Sequence, residues 1–193
     1  EYSDATADRS VWISLQGLVK TGSIGIFRMI RSYSTVMMKR LEKEITDMMT
    51  PAYGQSELVK KLCAEFQTTD TCAVHVRGGD IIGPGRAFFE RALARMEKER
   101  PGLRYLVFTN DREAAKEALE GEHTERKMTY ISELGAFSDI DEFFLMAACR
   151  HQIISNSSYS TWAAYLNPNP EKVVIMPEYK GCEQIRLKEW IVL

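Results

Sequence analysis

The chain has 193 residues, 45% of them apolar, with 25 Lys+Arg against 27 Asp+Glu for a net charge of -2. That length holds one large domain, or one and a half small ones, with a sizeable core. There is no basic excess to neutralise a phosphate backbone, so no nucleic-acid partner is expected, and no apolar run approaches the roughly 20 residues of a membrane-spanning helix.

Residues 1–10 are polar. Val11 to Gln16 is a short apolar stretch that fits a strand. Ile24 to Met49 carries a long helical pattern rich in Met, Arg and Lys, with Pro51 just past its end. A second helix is predicted over Glu57 to Phe66. From Thr71 the pattern changes to strand–helix alternation. Strands are predicted at 72–77, 104–109, 127–131, 151–155 and 172–176. Helices are predicted at 86–99, 112–120, 139–149 and 159–166. Five β segments separated by helices imply right-handed βαβ units, hence an α/β fold with a mostly parallel sheet preceded by a helical segment. The expected division is residues 1–70 and residues 71–193.

The four cysteines, Cys63, Cys72, Cys149 and Cys182, lack paired C-x-x-C spacing, so a zinc site is not expected. Cys72 and Cys149 sit in apolar surroundings that suit buried thiols. A Cys63–Cys182 disulfide is the alternative, but a reducing compartment is favoured, and a cytoplasmic location is preferred to a bacterial membrane periphery or a eukaryotic Golgi lumen.

Three predicted strand ends carry short polar clusters: Arg77-Gly78-Gly79-Asp80, Thr109-Asn110-Asp111 and Ser155-Asn156-Ser157-Ser158. In an open α/β sheet, ligands bind beyond the carboxyl ends of strands. A guanidinium at a rigid strand end can grip a phosphate with two N–H groups. Gly78 and Gly79 lack a Cβ, so the backbone there can approach an anion closely. The plainer reading pairs Arg77 with Asp80 as a structural ion pair. Asp80 suits a general base, an orienting partner for Arg77, or a cap. His75 lies mid-strand on an apolar face, where a hydrogen-bonded core role is commoner than catalysis. One of Asn110 and Asp111 is expected to cap the following helix, and the other to read a ribose hydroxyl or a base edge. Serine hydroxyls and free N–H groups at the helix start after Asn156 suit a phosphate, whereas ordinary capping accounts for one Ser. Asp139, Asp141 and Glu142 look like a metal cluster but are more simply dipole partners at a helix start.

These residues match a known pattern. Val74-His75-Val76-Arg77-Gly78-Gly79-Asp80 resembles the HxRRxD motif of the α1,2-fucosyltransferases, glycosyltransferase family 11, with Gly78 where that family usually carries a second Arg. Phe108-Thr109-Asn110-Asp111 is similar to the family's F-S-D-D segment. Leu145 to Leu166, including Cys149-Arg150-His151 and Asn156-Ser157-Ser158-Tyr159-Ser160, is similar to its L-M-s-x-C-K-H-x-I-I-a-N-S-S-F-S-W-W-x-A-Y-L signature. Ile13-Ser14-Leu15-Gln16-Gly17 is similar to a segment that precedes the Arg motif. The resemblance covers roughly residues 11 to 180.

It implies a Rossmann-like nucleotide-sugar-binding domain of a GT-B-type enzyme, with residues 1–70 as a remnant of, or link to, an acceptor domain. It implies inverting transfer of fucose from GDP-fucose to the 2-hydroxyl of a terminal galactose in a glycan, without a metal or other cofactor. Arg77 would hold the diphosphate, with Asp80 as the local candidate for the base. His75, Gly78, Gly79, Asn110, Asp111, Asn156, Ser157, Ser158 and Ser160 would line the donor. A separate N-terminal half or an oligomer is an implied partner. The rival expectation is a non-catalytic module of the same fold that binds a nucleotide sugar or serves as a structural subunit.

Overall fold

The computed structural model describes residues 56–78, 83–119, 126–180, 182 and 186–193, which fall within one compact unit, Gln55–Leu193. The strand expected at 11–16 and the helix expected at 24–49 lie outside the described residues, as do Gly79 and Asp80.

The first helix, α1 (Glu57–Thr68), starts where the Ser56 hydroxyl accepts from the Val59 N–H, and it buries Val59, Leu62 and Phe66 along one stripe. Strand β1 (Thr71–Val76) follows and is buried at every position. Unbroken burial is what a central parallel strand covered on both faces shows. Helix α2 (Arg86–Glu99) buries Phe88, Phe89, Ala92, Leu93 and Met96. A Pro101-Gly102 turn, with Gly102 at φ 78°, leads into β2 (Arg104–Thr109).

Helix α3 (Arg112–Leu119), strand β3 (Met128–Tyr130) and a 3-10 turn at Ile131–Glu133 complete that side. Helix α4 (Asp139–Ala148) opens on a capping box in which Ser138 and Asp141 satisfy each other's backbone N–H groups. It leads to β4 (His151–Ile153), helix α5 (Ser158–Leu166) and strands β5 (Val174–Met176) and β6 (Ile191–Val192). Among the described residues, no helix is long and apolar enough to cross a membrane.

All strand pairings are parallel, in the order β3-β2-β1-β4-β5-β6. This is the doubly wound order of a Rossmann-like sheet, with the direction of winding reversing between β1 and β4. Cys72, Val74 and Val76 of β1 join Tyr105 and Val107 of β2 in one core layer under α2 and α3. The alternate residues Ala73, His75, Leu106 and Phe108, all buried, point to the opposite face. The expected strands and helices thus appear within a few residues of their predicted bounds. Strand β6 was not foreseen, because two residues carry no readable period.

The amino edge of the sheet is tied by side chains to backbone. Buried Asn167 donates to Cys149 O at 2.7 Å and accepts from Asn169 N at 2.8 Å. His151 accepts from Val173 N at 3.0 Å. Thr71 Oγ1 donates to Phe66 O at 2.8 Å and accepts from Arg150 N at 3.2 Å. All four cysteines are free thiols, with Cys72, Cys149 and Cys182 buried, so the alternative Cys63–Cys182 disulfide is not formed.

Phe89 is fully buried between α2 and the sheet. Phe89→Ala removes its burial and leaves a cavity, so it is expected to cost about 3–5 kcal/mol, read as a drop in the urea midpoint with little change in slope.

Candidate active site

The carboxyl ends of β1 and β4 lie side by side where the winding reverses, the place where a doubly wound sheet leaves a crevice. The described residues of the three polar clusters expected at strand ends, those after β1, β2 and β4, lie on this edge.

His75 is 6% exposed. Its Nδ1 lies 2.8 Å from Ser155 Oγ, a bond that joins the end of β1 to the segment after β4. Its ring lies 5.8 Å from that of Tyr159, which in turn meets Phe143 edge-on at 5.5 Å. Burial, with Arg77 adding, pushes the His75 pKa down to about 3. The ring is therefore neutral at pH 7. Arg77 itself follows β1 directly and is half-buried.

Gly78 is buried and pinned by Asn110: its N–H donates to Asn110 Oδ1 and its carbonyl accepts from Asn110 Nδ2, both at 3.1 Å. A Cβ at position 78 would lie 2.6 Å from Asp111 Cβ and 3.1 Å from Ala114 Cβ. Gly83 makes a similar approach, since a Cβ there would lie 2.6 Å from the Arg77 carbonyl. The backbone on either side of the Arg77 loop therefore passes through places only glycine fits.

The two candidates after β2 divide their work. Asp111 is the cap of α3, with Oδ1 accepting from Ala114 N at 3.0 Å. Exposed Asn110 is the clamp on Gly78 rather than a cap, so its amide is engaged with backbone.

After β4, Asn156 and Ser158 are half-buried, and Ser157 and Ser160 are buried. Ser157 stands at the N-cap of α5 but makes no side-chain capping bond. Ordinary capping, the plain expectation for one serine here, is thus not what Ser157 does. Its carbonyl instead collects the hydroxyls of Ser160 at 3.2 Å and Thr161 at 2.9 Å. The first N–H groups of α5 are left without a side-chain cap, facing the carboxyl edge with the positive end of the helix dipole.

The start of α4 reaches the same edge. Tyr159 donates its hydroxyl to the Asp139 carbonyl. Burial holds this phenol well above its ordinary pKa, with the charges of Glu142, Asp139 and Asp141 adding. Asp141 is spent in the capping box. Glu142 differs from its acidic neighbours: burial, with Asp139 adding, pushes it up to about 7. All three acids stand in the first turn of α4, as the helix-dipole reading expects, and Glu142 is in addition partly desolvated.

The model of glycosyl transferase family 11 matches residues 56–193. The chain belongs to glycosyl transferase family 11. It is 28% identical to the O-antigen biosynthesis glycosyltransferase WbnK of Escherichia coli over 151 residues, 68% of this chain and 48% of WbnK. The chain thus spans about half the length of that curated relative. No solved structure matches it.

Family membership takes in every described element, α1 included. The glycine at 78, where the family resemblance calls for a second Arg, has a local cause in this chain, because Asp111 and Ala114 fill the space a side chain would need. Sequence reasoning gave no role of their own to Ser155, Tyr159 or Gly83, and read Glu142 only as a helix-dipole partner. Ser155 was visible as a polar residue ending an apolar strand; pairing it with His75 required knowing that β1 and β4 are neighbours. A surface cleft of ≈ 310 Å³ lined by Gln67, Arg150, Asn167 and Asn169 lies at the amino edge, away from these residues.

Gly78→Ala is expected to lower stability by about 1–3 kcal/mol through overpacking against Asp111, measured by thermal or urea unfolding. A second outcome concerns pH. His75 and His151 are pushed down to about 3 and about 4, both mainly by burial. Each stays neutral in the fold but binds a proton from about pH 6.5 downward once unfolded. Their contribution is therefore fully present above 6.5 and is lost as the pH falls towards 4. Glu142 acts oppositely between 4.5 and 7, since its folded form keeps a proton that the unfolded form releases. Two histidines against one carboxyl make these three groups favour unfolding as pH drops from 6.5 to 4.5. Urea midpoints across that range should fall, and less steeply in His151→Asn.

Proposed function

We propose that this chain is the donor-binding part of an inverting fucosyltransferase of GT-B type, which transfers L-fucose from GDP-fucose to the 2-hydroxyl of a terminal galactose in a glycan. The observation that carries the reading is the pairing, at the reversal point of a family 11 sheet, of Arg77 after β1 with the uncapped N-terminus of α5 after β4. Two anion-binding devices on adjacent strands suit the two phosphates of a nucleoside diphosphate. The name of the Escherichia coli relative favours a cell-surface polysaccharide as the acceptor.

The chemistry follows from charge. The acceptor hydroxyl oxygen attacks the anomeric carbon of fucose from the face opposite the diphosphate. The carbon–oxygen bond to the diphosphate breaks, and its electron pair leaves with GDP. The sugar passes through an oxocarbenium-like state while negative charge grows on the leaving group. Arg77 and the first N–H groups of α5 stabilise that charge where it develops, so no metal is needed in this scheme. The hydroxyl proton goes to a base, for which Asp80, three residues after Arg77 in sequence, is the candidate. His75, Gly78, Gly79, Asn156, Ser157, Ser158 and Ser160 line the donor. Asn110 and Asp111 support the nucleoside side by holding the end of β1 and the start of α3 in place.

Arg77→Ala removes one preorganised donor, about 3 kcal/mol, so transfer from GDP-fucose to lactose should drop on the order of 100-fold or more. Calorimetry with GDP should show binding by the parent chain and none by the variant. Parent turnover that a chelator abolishes would overturn the metal-free scheme. Absence of GDP binding in the parent chain would overturn the donor assignment and leave the rival, a non-catalytic module.

A further inference from the structure

The bond between His75 and Ser155 carries more information than its length. Ser155 is fully buried, and His75 Nδ1 is the partner its hydroxyl finds among the described residues. A buried hydroxyl has one proton to place, and leaving that donor unsatisfied is costly. Were the ring to donate from Nδ1 instead, the serine proton would be stranded in the interior. With the hydroxyl donating, Nδ1 holds a lone pair, and a neutral ring then carries its proton on Nε2.

We propose that Ser155 is a positioning residue: its hydroxyl donates to His75 Nδ1, fixes the ring in the Nε2–H tautomer, and so turns His75 into a neutral hydrogen-bond donor for a diphosphate oxygen beside Arg77. The proposal rests on the donor-binding reading above and assigns the histidine a direction within it. A neutral donor here has an advantage over a cation. It offers an N–H to the anion without placing a second full charge in a buried site next to Arg77. Burial and Arg77 both work to keep the ring neutral. The same neutrality and low basicity argue against His75 as the base that takes the acceptor proton. Tyr159, packed against the ring and itself a phenol rather than a phenolate, adds no charge that would change this.

The test needs no substrate at its first step. The chain has three histidines, so selective imidazole 15N labelling gives three ring signals, and His75→Gln identifies the one of interest. In the parent chain at about pH 7 the His75 signals should report a protonated Nε2 and a hydrogen-bonded, unprotonated Nδ1, and the Nε2 signal should move on adding GDP. Ser155→Ala should release the ring into a mixture of tautomers and weaken GDP binding roughly five- to tenfold, the scale of one hydrogen bond. Ser155→Thr, which keeps the hydroxyl, should keep the parent tautomer. A protonated Nδ1 in the parent chain overturns the proposal. So does a folded Ser155→Ala with unchanged ring signals and unchanged GDP binding. Absence of GDP binding alongside the Nε2–H tautomer sinks the donor-binding reading and upholds the tautomer assignment, so the two failures are told apart.

Discussion

Everything at the carboxyl edge depends on how the end of β1 is held. A strand end is normally a place where backbone frays into loop, yet here it is fastened on both sides. On the β2 side, Asn110 closes two bonds of 3.1 Å with the Gly78 backbone. On the β4 side, His75 meets Ser155 at 2.8 Å. Between these two fastenings stands Arg77. A guanidinium on a long side chain loses much rotamer freedom when it grips a ligand. Fixing the backbone from which it springs lets binding energy go into the contact rather than into ordering the loop.

The same arrangement sets the local charge. Burial would penalise any ion here, and the groups packed around the reversal point respond by shifting toward their neutral forms. His75 is pushed down to about 3 and Tyr159 is pushed above its ordinary range, so both are neutral at pH 7, while Glu142, pushed up to about 7, is only part ionised there. Arg77 cannot respond in this way, because a guanidinium keeps its proton in proteins. A permanent cation flanked by neutral donors and a helix N-terminus is an environment whose potential favours a polyanion. It favours most a group whose negative charge increases during reaction, as a departing diphosphate's does. At the amino edge Asn167, Asn169, Thr71 and His151 spend their polar groups on backbone, as Asn110 and Asp111 do at the carboxyl edge.

The parallel sheet was legible because its determinants are local. Val74, Val76, Leu106 and Val107 form short apolar runs, and the helices between them show stripes such as Phe88, Phe89, Ala92, Leu93 and Met96 that a 3.6-residue period exposes. Gly78 was expected to bring backbone close to an anion; its close approach in the fold is instead to Asp111 and Ala114, and its N–H is taken by Asn110. The division of labour between Asn110 and Asp111 was open, because both residue types cap helices well; the choice was made by Gly78, which lies 32 positions away in sequence. The His75–Ser155 bond spans 80 positions and exists only because β4 crosses the sheet to pair with β1. Glu142 shares its charge and its helical turn with Asp139 and Asp141, so its partial desolvation could not be read from the string. What sequence conveys poorly is therefore which polar side chains the topology presses together, and those are the ones that define the site.

The glycine at 78 illustrates how a departure from a family pattern should be weighed. Seen as a string, the loss of a second guanidinium suggests a weakened phosphate site. Seen in the fold, position 78 is closed off by Asp111 and Ala114, at 2.6 and 3.1 Å from where a Cβ would stand. An Arg there would have to displace the residue that caps α3. The chain instead has a tight backbone crossing at this point, with the Gly78 N–H and carbonyl both taken by Asn110. In the proposed donor-binding reading, positive potential for a diphosphate then has to come from elsewhere on the same edge, and α5, whose N-cap makes no side-chain bond, is the proposed source. The trade is a mobile charge for a fixed dipole. A fixed dipole binds an anion less strongly than a guanidinium, but it needs no side chain to be ordered.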